Sequence, residues 1–212
     1  EFLAQRCSLS PEQVRKAKII TEISRTDTTK RKDVLIKAFA EVQKEFNDSL
    51  LVVSVERDTP LGTELDHLAR ELGILGHVAF VGSVWALLPV IYAITWVYCT
   101  PSVMEGFGMS AQEAAATCVP VVSSDLVPFV EEFLLAEPVD EIAVEGTDNP
   151  IHEGQGAIMV KADDIPGFTG AICRLFQEER LRHRMGRNAY EITIPYFSWK
   201  EMVGRFLEDV DV

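Results

Sequence analysis

The chain has 212 residues, of which 47% are hydrophobic and 25% charged, an ordinary balance for a globular protein with a sizeable core. Its formal net charge of -13 argues against a nucleic-acid partner, which demands clustered Lys and Arg. It argues equally against a basic face on an anionic membrane, while leaving room for a small anion at one local basic spot. Four cysteines (Cys7, Cys99, Cys118 and Cys173) form no C-x-x-C pair, so a reducing, cytoplasmic setting is expected over a disulfide framework. The longest apolar run, about 84–98, is interrupted by Pro89 and is short for a transmembrane span of ~20 residues. The first residues contain neither Met nor an apolar leader, so the chain reads as a fragment of a longer protein.

In chain order, apolar segments alternate with helical patterns. Residues 19–23 read as a short β-branched strand. Residues 31–46 read as a helix with Val34, Leu35, Ala38, Phe39, Val42 and Phe46 on one face. Residues 50–55, apolar but for Ser54, read as a strand buried on both faces. A helix over 62–72 stops at Gly73, and a strand over 77–81 stops at Gly82. A short helix over 87–93 leads to a strand over 96–100, closed by Pro101. Then come a helix at 109–117, a strand at 119–123, a helix at 127–135 and a sixth strand at 157–160. Helices over 165–177, 179–192 and 198–210 finish the chain. Six strands alternating with helices predict an α/β fold: a Rossmann-like, doubly wound, parallel six-stranded sheet with helices on both faces, as one domain over 1–212. Residues 136–155 break the rhythm. They are rich in Asp and Glu, hold two prolines and are long for a connection of ~4–6 residues. They read as a solvated surface insertion, or as a lid or a contact with another domain.

In an open parallel sheet, ligands bind outside the carboxyl ends of the strands. The loop after strand 96–100 is such a place, and it contains Glu105-Gly106-Phe107-Gly108 before the helix that begins at Met109. Glycines let a backbone approach a ligand, and the first N–H groups of a helix suit a phosphate. A tight turn would also explain both glycines. Glu105 and Glu113 flank this loop, and carboxylates there can accept hydrogen bonds from sugar hydroxyls; local capping for Glu105 and a solvated helix face for Glu113 are the plainer alternatives. Arg25 and Lys30 follow the first strand and could neutralise a diphosphate. In its Lys-Arg-Lys cluster, Lys30 could equally face solvent.

As an ordered set, these residues resemble the C-terminal domain of GT-B glycosyltransferases of the large group that includes sucrose-phosphate synthase, glycogen synthase and bacterial mannosyl- and glucosyltransferases. The likeness runs from about Ile19 to the C-terminus. It rests on Ser24-Arg25 with Lys30, Val78-Ala79-Phe80-Val81-Gly82, Pro101-Ser102, Glu105-Gly106-Phe107-Gly108 through Glu113-Ala114, Val119-Pro120-Val121-Val122, and Phe197-Ser198-Trp199. The Ser24-Arg25-Thr26-Asp27 wording lies nearest the sucrose-phosphate synthase branch. The resemblance implies a retaining transferase that takes a nucleoside-diphosphate sugar as donor and needs no metal or other cofactor. Arg25, Lys30 and Glu105 would be the catalytic set, with Glu105 on the sugar hydroxyls. Gly106, Phe107, Gly108 and Met109 would meet the donor, with the backbone of Gly108 and Met109 on its phosphates; Glu113 would hold the ribose, and Gly82, Ser83 and Val84 would lie against the base. It also implies an N-terminal, acceptor-binding domain in the parent protein, without which this half binds donor and transfers nothing. The last helix, with Trp199, Met202, Val203, Phe206, Leu207 and Val210 on one face, would cross to that half; packing on its own domain is the alternative. Three positions depart from the family pattern: Arg31 and Cys118 stand where glycines are usual, and Ser54-Val55-Glu56 replaces a glycine after the second strand. Two other functions fit the same architecture, a nucleotide-sugar epimerase and a non-catalytic sugar-nucleotide-binding module. A dehydrogenase does not, because no Gly-x-Gly-x-x-Gly turn follows the first strand.

Overall fold

The structure, a computed structural model, describes residues 1–210. Eight strands form one sheet in the order β3-β2-β1-β4-β5-β8-β7-β6. Six of them are parallel: β1 (Lys18–Glu22), β2 (Ser49–Val53), β3 (Val78–Phe80), β4 (Val97–Thr100), β5 (Val121–Ser124) and β8 (Ala157–Val160). They are the six strands expected from the sequence, shifted by one or two residues at their ends. The other two, β6 (Asp140–Ile142) and β7 (Ile151–Glu153), pair antiparallel and extend the sheet beside β8. They arise within the acidic segment 136–155, so the segment read as a surface insertion carries two strands of the sheet. Its charge hides this, because β6 faces solvent, while Ile151 is buried in the core. Glu153 is buried too, paired at its carboxylate with Arg174.

Both faces of the sheet are covered, which is why the parallel strands are rich in apolar residues on both sides, as in Leu50–Val53. Along β2, Leu51 and Val53 join one core with Leu35, Phe39, Phe168 and Leu175, while Leu50 and Val52 join the other with Tyr98, Ala111 and Phe129. The first core lies under α2 (Lys32–Glu45), α3 (Pro60–Glu71) and α6 (Ile165–Gln177). The second lies under α1 (Pro11–Lys16), α4 (Leu88–Ile94), α5 (Met109–Ala115) and α7 (Glu179–Phe197). The expected helix at 127–135 is a short π-helical turn over Val130–Leu134, and α7 runs through Pro195 to Phe197, beyond its expected end. In α8 (Trp199–Val210) no residue is buried, and Trp199 and Phe206 are 82% and 65% exposed. That helix meets its own domain at its border with α7, where Arg205 lies over the Tyr196 ring, and its apolar face is exposed. Among the described residues, no helix is long and apolar enough to cross a membrane.

Two of the departures from the family pattern keep a glycine's backbone without a glycine. Arg31 has φ 47° and Cys118 φ 61°. Arg31 is compensated, since its guanidinium pairs with Asp33 and Asp163. Among the described residues Cys118 has no such partner, and its side chain is exposed. The left-handed conformation costs a non-glycine residue about 1–2 kcal/mol, partly offset by about 0.5–1 kcal/mol of extra chain entropy that glycine would lose on folding. Cys118→Gly is therefore expected to raise the unfolding free energy by roughly 0.5–1 kcal/mol. A urea melt checks it, and an unchanged or lower midpoint would refute it.

Candidate functional site

The strand order reverses between β1 and β4: from β1 the chain winds outward through β2 and β3, and from β4 outward through β5 and β8. A crevice must open at the carboxyl ends of these two neighbours, because the loops leaving them diverge to opposite faces. A cavity of about 570 Å³ lies there, and Arg25, Lys30, Gly82, Ser83, Val84, Glu105, Gly106, Phe107, Gly108, Met109 and Glu113 all line it. All eleven candidate residues, from three separate stretches of chain, thus meet at one site.

The basic side is built by the loop after β1. Asp27 accepts from the backbone N–H of Thr29 at 2.8 Å and from its hydroxyl at 2.6 Å. These hydrogen bonds hold its carboxyl below the usual carboxylate range. The cap starts a 3-10 turn over Thr28–Lys30 that drives Lys30 inward. Lys30 is only 4% exposed. Its Nζ donates to Glu105 Oε1 at 2.6 Å and to the Met104 carbonyl at 3.1 Å. Lys30 is therefore buried in the cavity wall and not solvated. The two groups assigned to phosphate and to sugar also neutralise each other in the open site. Arg25 is exposed at the cavity wall, and among the described residues no carboxylate pairs with it. It is the one cation of the cavity lining without an ion-pair partner among the described residues.

The two glycines of the β4–α5 loop differ in kind. Gly108 has φ 108°, and a Cβ there would stand 2.7 Å from Val127 Cγ1, so both backbone and space demand glycine. A Cβ on Gly106 would meet nothing within 4 Å; its missing side chain simply leaves the cavity open. Between them, Phe107 turns its ring into a cluster with Phe129, Phe133 and Phe197, at centroid distances of 5.4, 6.3 and 5.6 Å. It anchors the loop by packing while also lining the cavity.

Several side chains that the sequence did not single out set the geometry. Tyr98, fully buried on β4, hydrogen-bonds the Ile23 carbonyl at 3.1 Å and Ser110 Oγ at 2.7 Å, tying the end of β1 to the first turn of α5. Tyr92 donates to Glu113 Oε2 at 3.0 Å and aims that carboxylate. Burial, with Glu113 beside it, pushes the Tyr92 hydroxyl well up, so it remains a donor at any ordinary pH. Beneath Arg25, Lys32 and Glu22 form an ion pair with both side chains at 0% exposure, and Lys32 also donates to Ser24 Oγ at 2.7 Å. Burial pushes the Lys32 ammonium below its usual range while Glu22 pulls against that shift. Nothing in periodicity or composition marks these residues, since each looks like a core or surface position of its own element. Among the described residues, no group of three His, Cys, Asp or Glu is arranged to hold a metal ion.

A doubly wound parallel sheet with a cavity at its switch point, lined by two cations and three carboxylates, defines a Rossmann-like α/β domain. Residues 10–192 match the family model "Glycosyl transferases group 1", and the chain belongs to that family. It is 27% identical over 208 residues to the D-inositol 3-phosphate glycosyltransferase of Nocardioides sp., an alignment spanning 91% of this chain and 41% of that protein. The chain thus spans less than half the length of that relative. Among solved structures, the sucrose-phosphate synthase of Thermosynechococcus elongatus superposes with a TM-score of 0.72 at 22% identity, over 99% of this chain and 48% of that one. Anabaena HepE in complex with UDP superposes with a TM-score of 0.76 at 17% identity, over 96% and 53%. These likenesses agree with the C-terminal half of a GT-B fold, as the motifs implied.

Proposed function

We propose that this chain is the donor-binding half of a retaining glycosyltransferase. The observation that carries the reading is the convergence of Arg25, Lys30, Glu105, Gly108 and Glu113 on one cavity at the switch point. The diphosphate of a nucleoside-diphosphate sugar would take Arg25, Lys30 and the N–H groups at Gly108 and Met109. In doing so it would draw Lys30 away from Glu105 and free that carboxylate for sugar hydroxyls. Glu113, aimed by Tyr92, would hold the ribose. In the transfer, the bond from the anomeric carbon to the diphosphate oxygen breaks, and a bond to the acceptor oxygen forms on the same face. The acceptor's hydroxyl proton leaves with the diphosphate, whose growing charge the two cations stabilise.

The acceptor would be held by an N-terminal Rossmann-like domain of the same parent protein, seated in part on the exposed apolar face of α8. The free thiols of all four cysteines support a cytosolic location. Calorimetry of the chain with UDP, ADP and GDP tests the reading. Weak but saturable heat with a nucleoside diphosphate, and none with inorganic phosphate at the same concentration, is the expected result. No binding by a chain shown to be folded would overturn it. Product analysis of the parent separates transfer to an acceptor from epimerisation of the donor.

A further inference from the structure

Glu56 lies just beyond β2, at the position where the chain departs from the family pattern, and it lines the cavity beside Gly82, Ser83 and Trp85. Its Oε1 accepts from the backbone N–H of Ser83 at 2.9 Å, and a Cβ added at Gly82 would stand 2.7 Å from its Oε2. The carboxylate is therefore laid against the 82–83 turn by a bond and by the missing side chain of Gly82. Among the described residues no cation pairs with it. Its neighbour Arg57 is turned away, paired with Asp66 at 2.7 Å and stacked over Phe80. Trp85, 80% exposed, stands beside it as a free aromatic face.

The cavity is thus lined by the cations Arg25 and Lys30 from the loop after β1 and, from the loops after β2 and β3, by an uncompensated carboxylate and an aromatic ring. A diphosphate belongs at the cations. A planar base with hydrogen-bond donors belongs at the carboxylate and the ring, where it can stack and donate. Guanine alone among the common bases presents two adjacent N–H donors, the ring N1–H and the 2-amino group, spaced to meet both oxygens of a carboxylate. Uracil offers one N–H between two carbonyl oxygens, which a carboxylate repels. The amino groups of adenine and cytosine each sit beside an acceptor ring nitrogen, with the same result.

We infer that Glu56 selects the base and that the nucleotide this site prefers is a guanosine diphosphate. The inference rests on the donor-site reading above and adds the identity of the base to it.

The test is calorimetry of the full chain with GDP, UDP, ADP, CDP and inosine diphosphate, which keeps the ring N–H of guanine but lacks its 2-amino group. The native chain is expected to bind GDP at least about tenfold tighter than the others, inosine diphosphate included, within the discrimination a bidentate base contact provides. In Glu56→Gln, confirmed folded by circular dichroism, GDP should fall to the level of UDP while UDP itself is little changed. Two results would overturn the role of Glu56 and leave the donor site standing: UDP, ADP or CDP binding the native chain as tightly as GDP, or a GDP preference that survives Glu56→Gln. Should the variant fail to fold, equal binding of GDP and inosine diphosphate by the native chain overturns the assignment by itself. Binding of no nucleoside diphosphate at all would remove the donor site and the inference together.

Discussion

Lys32→Met is expected to lower the unfolding free energy of this chain by about 3–5 kcal/mol. Lys32 and Glu22 are both sealed from solvent, and Glu22 Oε1 already lacks a hydrogen-bond partner among the described residues. Removing the ammonium leaves a carboxylate buried with no compensating charge, beneath strands that cannot open to admit water. The cost is that of the stranded charge and not the worth of the pair, so the double variant Glu22→Met/Lys32→Met should recover most of the loss or all of it. Urea melts of the native chain, both single variants and the double variant close the cycle. A single Lys32→Met change that costs less than about 1 kcal/mol would mean that the pair is hydrated and that the buried geometry is wrong.

The second large effect falls on function. In the full-length parent, Lys30→Ala is expected to lower kcat/KM for hexosyl transfer by about 10²–10³-fold, the scale on which one preorganised charge-stabilising group acts. Lys30 is held at the cavity wall by the Asp27 cap and the Met104 carbonyl, so meeting a leaving diphosphate requires only that it exchange Glu105 for the phosphate oxygens. The same change leaves Glu105, whose side chain is only 15% exposed, without its cation. Stability should fall as well, and the double variant Lys30→Met/Glu105→Gln separates the two effects. It should regain stability and remain inactive. Steady-state kinetics alongside thermal melts of the three proteins give both readings, and transfer by Lys30→Ala within a few-fold of native would remove Lys30 from the catalytic set.

Elements whose signal is local were legible from the residues alone. The six parallel strands are short apolar runs between polar turns, and burial on both faces makes such runs unmistakable in β2 and β4. The glycine loop, the two flanking carboxylates and the two cations stand in an order that a family keeps, and the cavity gathers all of them. The hairpin β6–β7 was not legible, since its strands are three residues each, carry acidic residues and lie beyond the parallel strands, with β6 at the sheet edge; pairing of β7 with β8 and of β6 with β7, and not propensity, makes them strands.

What the residues by themselves determined is the class of sheet, the positions of its strands and the chemistry gathered after the first and fourth of them. Those features follow from hydrophobic period, glycine and charge at short range. Only the tertiary structure decided which partner each charge has. Lys30 meets Glu105 across 75 positions of chain, Glu22 meets Lys32 inside the core, and Glu56 reaches 27 positions to the turn at Ser83. It also decided which glycine is obligatory, for Gly108 is pinned by Val127 on a distant turn while Gly106 faces open space. Such pairings depend on strand order, and the order β3-β2-β1-β4-β5-β8 is set by how helices pack over both faces, a property of the whole sheet and of no single segment.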